Sequence, residues 1–219
     1  MHESTTLAVV DANIRSGEDE LARESLLANL QAYREPHVTP LWVNWLRERA
    51  DLRLVCMVHR LARFDDFLID VVRSARGVTG TQAMLSFGGR AHIGRLMEVP
   101  LAAGGRHRLH AAHVGIDVVA GYDRETFEAI WHIPSHPRVK PVWLLRNYHS
   151  YGADLTMLLL ATDEPAITGY VMSWIRPIPG VMDTTLSTIA DWALLATPEQ
   201  LIAVAEEFFH LEREEIGGV

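Results

Sequence analysis

The chain repeats itself. Ala-Asp-Leu stands at 50–52 and again at 153–155, and Asp51 lies as far from the Gly77-Val78 pair as Asp154 lies from Gly180-Val181. One offset of 103 residues relates these places, and it also carries Leu41 onto Leu144, Asn44 onto Asn147 and Thr81 onto Thr184. Few residues are identical, so the inference rests on the repeated pattern. A repeat of this length means two copies of one structural unit, and each copy has to bury its apolar face against something.

Each half reads in the same order. In the first, 5–14 is strand-like, and residues 18–33 carry Leu26, Leu27, Leu30 and Tyr33 at helical spacing up to Pro36. The β-rich runs 38–46 and 51–61 flank a charged turn, which reads as a hairpin. Phe67, Leu68, Val71, Val72 and Ala75 mark a second helix with Gly77 past its end, and 79–87 is a fourth strand. In the second half, 110–121, 142–150, 154–162 and 183–195 are the strands. A short helix covers 124–133, and another begins at Asp163 and Pro165, with Ile167, Tyr170, Val171 and Trp174 as its stripe. Thr197-Pro198-Glu199-Gln200 opens one more helix as a capping box.

The order βαββαβ, twice, predicts an α+β chain of two tandem ferredoxin-like modules. Module 1 spans 1–90, a Gly- and Arg-containing linker spans 91–109, module 2 spans 110–196, and 197–219 is a C-terminal helix. A ferredoxin-like sheet carries helices on one face only, so its other face needs a cover. Two fused copies supply it to each other as an intrachain pseudo-dimer of the dimeric α/β-barrel type.

Composition excludes several function classes. Asp plus Glu outnumber Lys plus Arg by 28 to 20, for a formal charge of -8, and no run of basic residues occurs. Such a chain has no general attraction for phosphate backbones, so direct DNA binding is not expected. The apolar stretches are too short to span a bilayer, and the N-terminus has no positive region followed by an apolar run, so a cytoplasmic protein is expected. The single cysteine, Cys56, sits in the apolar run Leu54–Val58 and reads as a buried thiol. His107, His110 and His113 recur every third residue, but in a strand that spacing alternates faces, and no metal site is read from them.

The stretch 152–195, with Gly152, Asp154, Gly180-Val181 and Thr184, resembles the C-terminal half of a ligand-binding (RAM) domain of Lrp/AsnC-type regulators. The first half matches through Asp51, Gly77-Val78 and Thr81, with Arg49 where the family has glycine. The resemblance implies a domain that binds or senses a small amino-acid-like metabolite. It acts without the family's helix-turn-helix, whether on a separate regulator or by self-association through sheet edges or the C-terminal helix. No cofactor is expected. The ligand-binding candidates it implies are Asp51, Thr81, Asn147, Gly152, Asp154, Gly180 and Thr184.

Each candidate also has a plain structural reading. Asp51 and Asp154 could cap hairpin turns. Asn44 and Asn147, flanked by aromatics, could line a cavity between the sheets or be satisfied core amides. The alternative function is an enzyme acting on a small molecule in the barrel between the sheets, cyclase- or isomerase-like, or resembling siroheme decarboxylases through the Met57-Val58-His59 strand end. His59, Arg146 and His149 would then supply proton transfer and carboxylate binding.

Overall fold

The computed structural model describes residues 5–47, 51–99, 109–148 and 152–209. The first half runs β1 (Thr6–Ile14), α1 (Asp19–Ala32), β2 (Val38–Leu46), β3 (Leu52–Val58), α2 (Phe64–Phe67) and β4 (Val78–Ala91). After α3 (Ile93–Leu96), the second half runs β5 (His110–Val118), α4 (Asp123–Trp131), β6 (Val139–Tyr148), β7 (Leu155–Ala161), α5 (Glu164–Tyr170) and β8 (Val181–Leu194). α6 (Pro198–Glu207) closes the described chain. None of these helices is long and apolar enough to cross a membrane.

The eight strands of the described residues pair antiparallel in one closed barrel, ordered β1-β3-β2-β8-β5-β7-β6-β4. Within each half the order is fourth, first, third, second. The halves join edge to edge, β2 to β8 and β4 to β6, so each of the described strands has a neighbour on both sides. The two sheets therefore curve into a single wall around a shared interior.

Local chemistry explains the elements. Ala22, Leu26 and Leu30 bury one stripe of α1 against the first sheet. Asp163 caps α5 by accepting from the Ala166 N–H at 2.8 Å, and Thr197 and Gln200 form the expected capping box of α6. α2 and α5 both widen into a π-helix, over Leu68–Arg73 and Val171–Ile175. Each is followed by a glycine at positive φ, Gly77 at 81° and Gly180 at 90°. At Gly180 a Cβ would lie 2.2 Å from the Thr126 hydroxyl, so the close approach also demands glycine.

One part of the sequence alignment needs correction. β2 and β6 each carry a bulge at a proline, Pro40 and Pro141, where the missing N–H leaves no ladder bond unmade. Their common motif is Val-x-Pro-x-Trp, at 38–42 and 139–143, an offset of 101. Trp42 faces Val55 and Trp143 faces Leu158, so these tryptophans are equivalent. Asn44 then corresponds to Leu145, not to Asn147. The second hairpin is two residues longer between its tryptophan and its aspartate, which restores the offset of 103.

Three apolar clusters result. Two lie between the barrel wall and its helices, one around Leu26, Phe64 and Phe67, the other around Phe127, Ile167 and Tyr170. The third fills one end of the barrel, where Leu201, Val204 and Phe208 pack beneath Leu7, Val55 and Leu158. At its centre Trp42 and Trp143 stack at 4.9 Å, a contact contributing roughly 1 kcal/mol beyond burial.

Candidate functional site

Side chains on a barrel strand alternate between inside and outside. On β1 the inward series is Leu7, Val9, Asp11, Asn13, and on β3 it is Arg53, Val55, Met57. The interior thus changes from apolar to polar along its length. The polar end holds a cavity of about 350 Å³. The first half supplies Asp11, Asn13, Arg53, Gln82 and Met84 to its wall. The second half supplies Gly115, Gly152, Ala153, Thr156, Thr185 and Ser187. Asn13, Gln82 and Gly152 are exposed at the rim, while Arg53, Thr156 and Ser187 are buried at depth.

Arg53 grips Asp11 with two bonds, Nε to Oδ1 at 2.6 Å and Nη2 to Oδ2 at 2.8 Å. These residues face each other across the β1–β3 ladder. At the same rung of the second half, Gly115 faces Thr156. Thr156 is positioned by Asn147, whose Nδ2 donates to its hydroxyl at 2.7 Å and to the Ala153 carbonyl at 2.8 Å. Ser86 donates to the Asn147 Oδ1 at 2.6 Å. Gly152 has φ 122°, and a Cβ there would lie 2.4 Å from the Met84 sulfur.

One layer deeper, His113 and Asn44 meet, Nε2 to Nδ2 at 3.3 Å. Both are almost fully buried. His113 Nδ1 and Asn44 Oδ1 have no hydrogen-bond partner among the described residues. Burial, and then the nearby Arg53 charge, hold the His113 imidazole well below its ordinary pKa, so it is neutral.

The other candidates lie elsewhere. Asp51 accepts the Ile14 N–H, and Asp154 accepts the Val118 N–H at 2.6 Å. Both N–H groups sit where a bulge breaks the ladder of β1 or β5, so each carboxylate satisfies a donor the bulge frees. Thr81 and Thr184 each accept from a guanidinium, Arg73 Nε at 2.6 Å and Arg176 Nε at 2.7 Å. Of the ligand-binding candidates, Gly152 lines the cavity and Asn147 supports it; Asp51, Thr81, Asp154, Gly180 and Thr184 are not in its lining. His59 is at the far, apolar end, bonded to Thr39 at 3.1 Å and 3.8 Å from Glu207. Arg146 is exposed and stacks over Phe127, 4.1 Å from the ring centre, on the helix-covered side. His149 is outside the described residues. Cys56 is buried under the first-half helices, where burial pushes its thiol up and leaves it unreactive.

Comparison with known proteins turns on this barrel. No family model matches the chain, and no curated protein matches it. Solved structures do. An anthrone oxidase-like protein matches at TM-score 0.56 and 8% identity, over 89% of this chain and 94% of its own. A candidate monooxygenase from Lactobacillus acidophilus matches at 0.54 and 8%, over 89% and 98%. A chlorite dismutase from Candidatus Nitrospira defluvii, a tryptophan-to-phenylalanine mutant with cyanide, matches at 0.53 and 15%, over 87% and 92%. The likeness is one of fold. It is the ferredoxin-like, dimeric α/β-barrel type.

Two expectations are overturned here. The kinship with Lrp/AsnC effector domains does not stand, because the matching structures are of these other kinds, and the regulator role drawn from it is left without support. The residues that carried the resemblance have structural duties in both halves of this barrel: Asp51 and Asp154 at bulges, Gly77 and Gly180 at positive φ, Thr81 and Thr184 under an arginine. The expectation of no cofactor is also withdrawn, since the matched chlorite dismutases are heme-binding proteins.

Sequence reasoning missed Asp11, Arg53, Gln82 and the role of His113. The signal was present. Asp11 and Arg53 are single charges inside otherwise apolar strands, TLAVVDANI and LRLVCMV, and a charge on a barrel strand has to be paired or face a polar space.

Proposed function

We propose that this chain is an enzyme that oxidises a small organic molecule held in the polar end of the barrel, with dioxygen as oxidant. One observation carries the siting: the wall bears a bidentate Asp11–Arg53 pair on one side only, where the equivalent rung has Gly115 and Thr156. Folding needs no such pair, since the second half closes with neither charge. An asymmetric polar pocket of about 350 Å³ fits a compact ligand. The oxidative reaction is taken from the fold neighbours, a monooxygenase candidate and an anthrone oxidase-like protein.

Heme does not fit this cavity. Among its described lining residues the only axial-ligand type is Met84, and its sulfur is packed against Gly152. Its single guanidinium is already committed to Asp11, whose charge would repel the propionates. The helix-covered faces are filled by their own side chains.

The reading also takes the chain as two copies of one module, 1–90 and 110–196, joined by 91–109 and followed by a helix from 197. Supporting it are the equal strand orders, the paired π-helices, the Arg–Thr pairs and the Val-x-Pro-x-Trp motif.

Oxygen consumption with anthrone as probe tests the activity. Turnover that Arg53→Gln lowers at least tenfold is expected. Binding in the cavity without turnover would make the chain a binding protein, and an empty cavity with every probe would end the proposal.

A further inference from the structure

We infer that the floor of the cavity is a subsite for a neutral group that donates and accepts a hydrogen bond at once, such as a lactam, amide or hydroxyl. The inference rests on the cavity being the substrate site and names the kind of substrate it takes.

The geometry is as follows. His113 and Gly115 lie on the same inward face of β5, and Gly115 lines the cavity. Gly115 has no side chain, so on β5 itself nothing covers His113 from above, and the Ala153 methyl stands 3.0 Å from where a Cβ on Gly115 would be. Across the ladder His113 faces Ser187, and Asn44 faces Arg53; both of those partners line the cavity. His113 and Asn44 therefore stand beside the deep lining residues Ser187 and Arg53 at the inner end of the cavity, themselves almost wholly buried.

Their mutual bond uses one atom of each. Amide orientation and imidazole tautomer are coupled. With Asn44 Nδ2 donating to Nε2, His113 Nδ1–H remains as a free donor and Asn44 Oδ1 as a free acceptor. With the amide reversed, His113 Nδ1 becomes the acceptor and the Asn44 amide the donor. Either way one donor and one acceptor are left over, nearly fully buried and unpaired among the described residues. Buried polar groups in this state call for a partner. The complement is a group with both functions.

Charge selects against an anion. His113 is neutral, and Arg53 is balanced by Asp11 in a bidentate pair. A carboxylate would meet the free acceptor with no proton to offer it and, among the described lining residues, no uncommitted cation.

Three probes of similar size separate the possibilities: 2-pyrrolidinone, N-methyl-2-pyrrolidinone and cyclopentanecarboxylate. Affinities come from NMR titration of the whole protein, with the Gly115 and Ser187 amides reporting the site. The lactam should bind on the order of tenfold more tightly than its N-methyl analogue, the consequence of leaving one buried group unpaired. The carboxylate should bind more weakly still. His113→Leu should bring the lactam preference to about one, and Asn44→Leu serves if that variant fails to fold. Equal affinities in the natural protein, or the carboxylate binding best, would overturn the subsite while leaving the cavity as a binding site. A fixed water under the probes would give the equal-affinity result. If no probe moves the Gly115 and Ser187 resonances, the subsite and the cavity reading fall together.

Discussion

The two halves of the barrel agree on the outside and disagree on the inside. Outside, Arg73–Thr81 is matched by Arg176–Thr184, Asp51–Ile14 by Asp154–Val118, and Gly77 by Gly180. Inside, the rung Asp11–Arg53 is matched by Gly115–Thr156, and the rung Val9–Val55 by His113–Leu158. Positions that serve the fold repeat, because both halves solve the same problem of bulge, turn and helix end. Positions that line the polar interior do not repeat, and there the two walls are complementary: charges and a thioether on one, glycine and hydroxyls on the other.

The largest expected effect tests whether the charged rung belongs to the site. Asp11→Ala strands the Arg53 guanidinium, which is only 8% exposed, and should lower stability by roughly 3 kcal/mol. The double variant Asp11→Gly with Arg53→Thr, which copies the second half, should recover most of that in a urea titration while abolishing probe binding. If it stays as unstable as the single variant, the pair is a structural feature and the comparison fails.

Next is the rim. Gly152→Ala combines a positive φ with the Met84 sulfur and should lose about 2 kcal/mol. Gly115→Ala has its one close approach to the Ala153 methyl at 3.0 Å, with Thr185 at ordinary contact distance, and should lose less than about 1 kcal/mol. Adding Met84→Ala should relieve the steric part of the first loss and leave the backbone part. Equal losses for the two glycines would remove the distinction.

The third effect is pH dependence. His113 is held neutral in the fold, while in the unfolded chain it takes up a proton near its ordinary pKa of 6.5. The unfolded state therefore binds more protons as pH falls below that value. Stability should be full above pH 6.5 and should drop below it by up to about 1.4 kcal/mol per pH unit. His113→Val, which copies Val9, should flatten that slope in melting curves between pH 7 and 5. An unchanged slope would assign the acid sensitivity elsewhere.

The smallest effects sharpen the other side of the comparison. Asp51→Ala and Asp154→Ala should each lose about 1 kcal/mol, in equal measure, by freeing a bulge N–H. Arg73→Met and Arg176→Met, at exposed sites, should each lose less than about 0.5 kcal/mol. A large difference within either pair would show that one half uses these residues for something more.

Much of the fold was legible because periodicity and punctuation report it directly. The strand pairs, the helix after Asp163-Pro165 and the capping box at Thr197 all stand near where their residues predict. The offset at β2 and β6 was misread because Asn44 and Asn147 offered a tempting match, whereas the bulged Pro40 and Pro141 set the true register. The site was less legible for a different reason. Repetition draws the eye to what the halves share, and the shared residues are scaffolding. Asp11 and Arg53 lie 42 residues apart and become a pair only when β1 and β3 align. His59 and Arg146 looked chemical by type, yet strand direction sends one to the apolar end and helix packing holds the other outside the barrel.

The packing of α6 under the barrel has a consequence for traffic. Leu201, Val204 and Phe208 fill that end with side chains, so among the described residues the interior is closed there and its polar cavity lies toward the other end. On the proposed reading, a substrate that enters past Asn13 and Gln82 finds no passage through the plugged end, so product would have to clear the rim before the next substrate is seated. A long polymer cannot be threaded through an interior plugged in this way and could offer only a loose end to it.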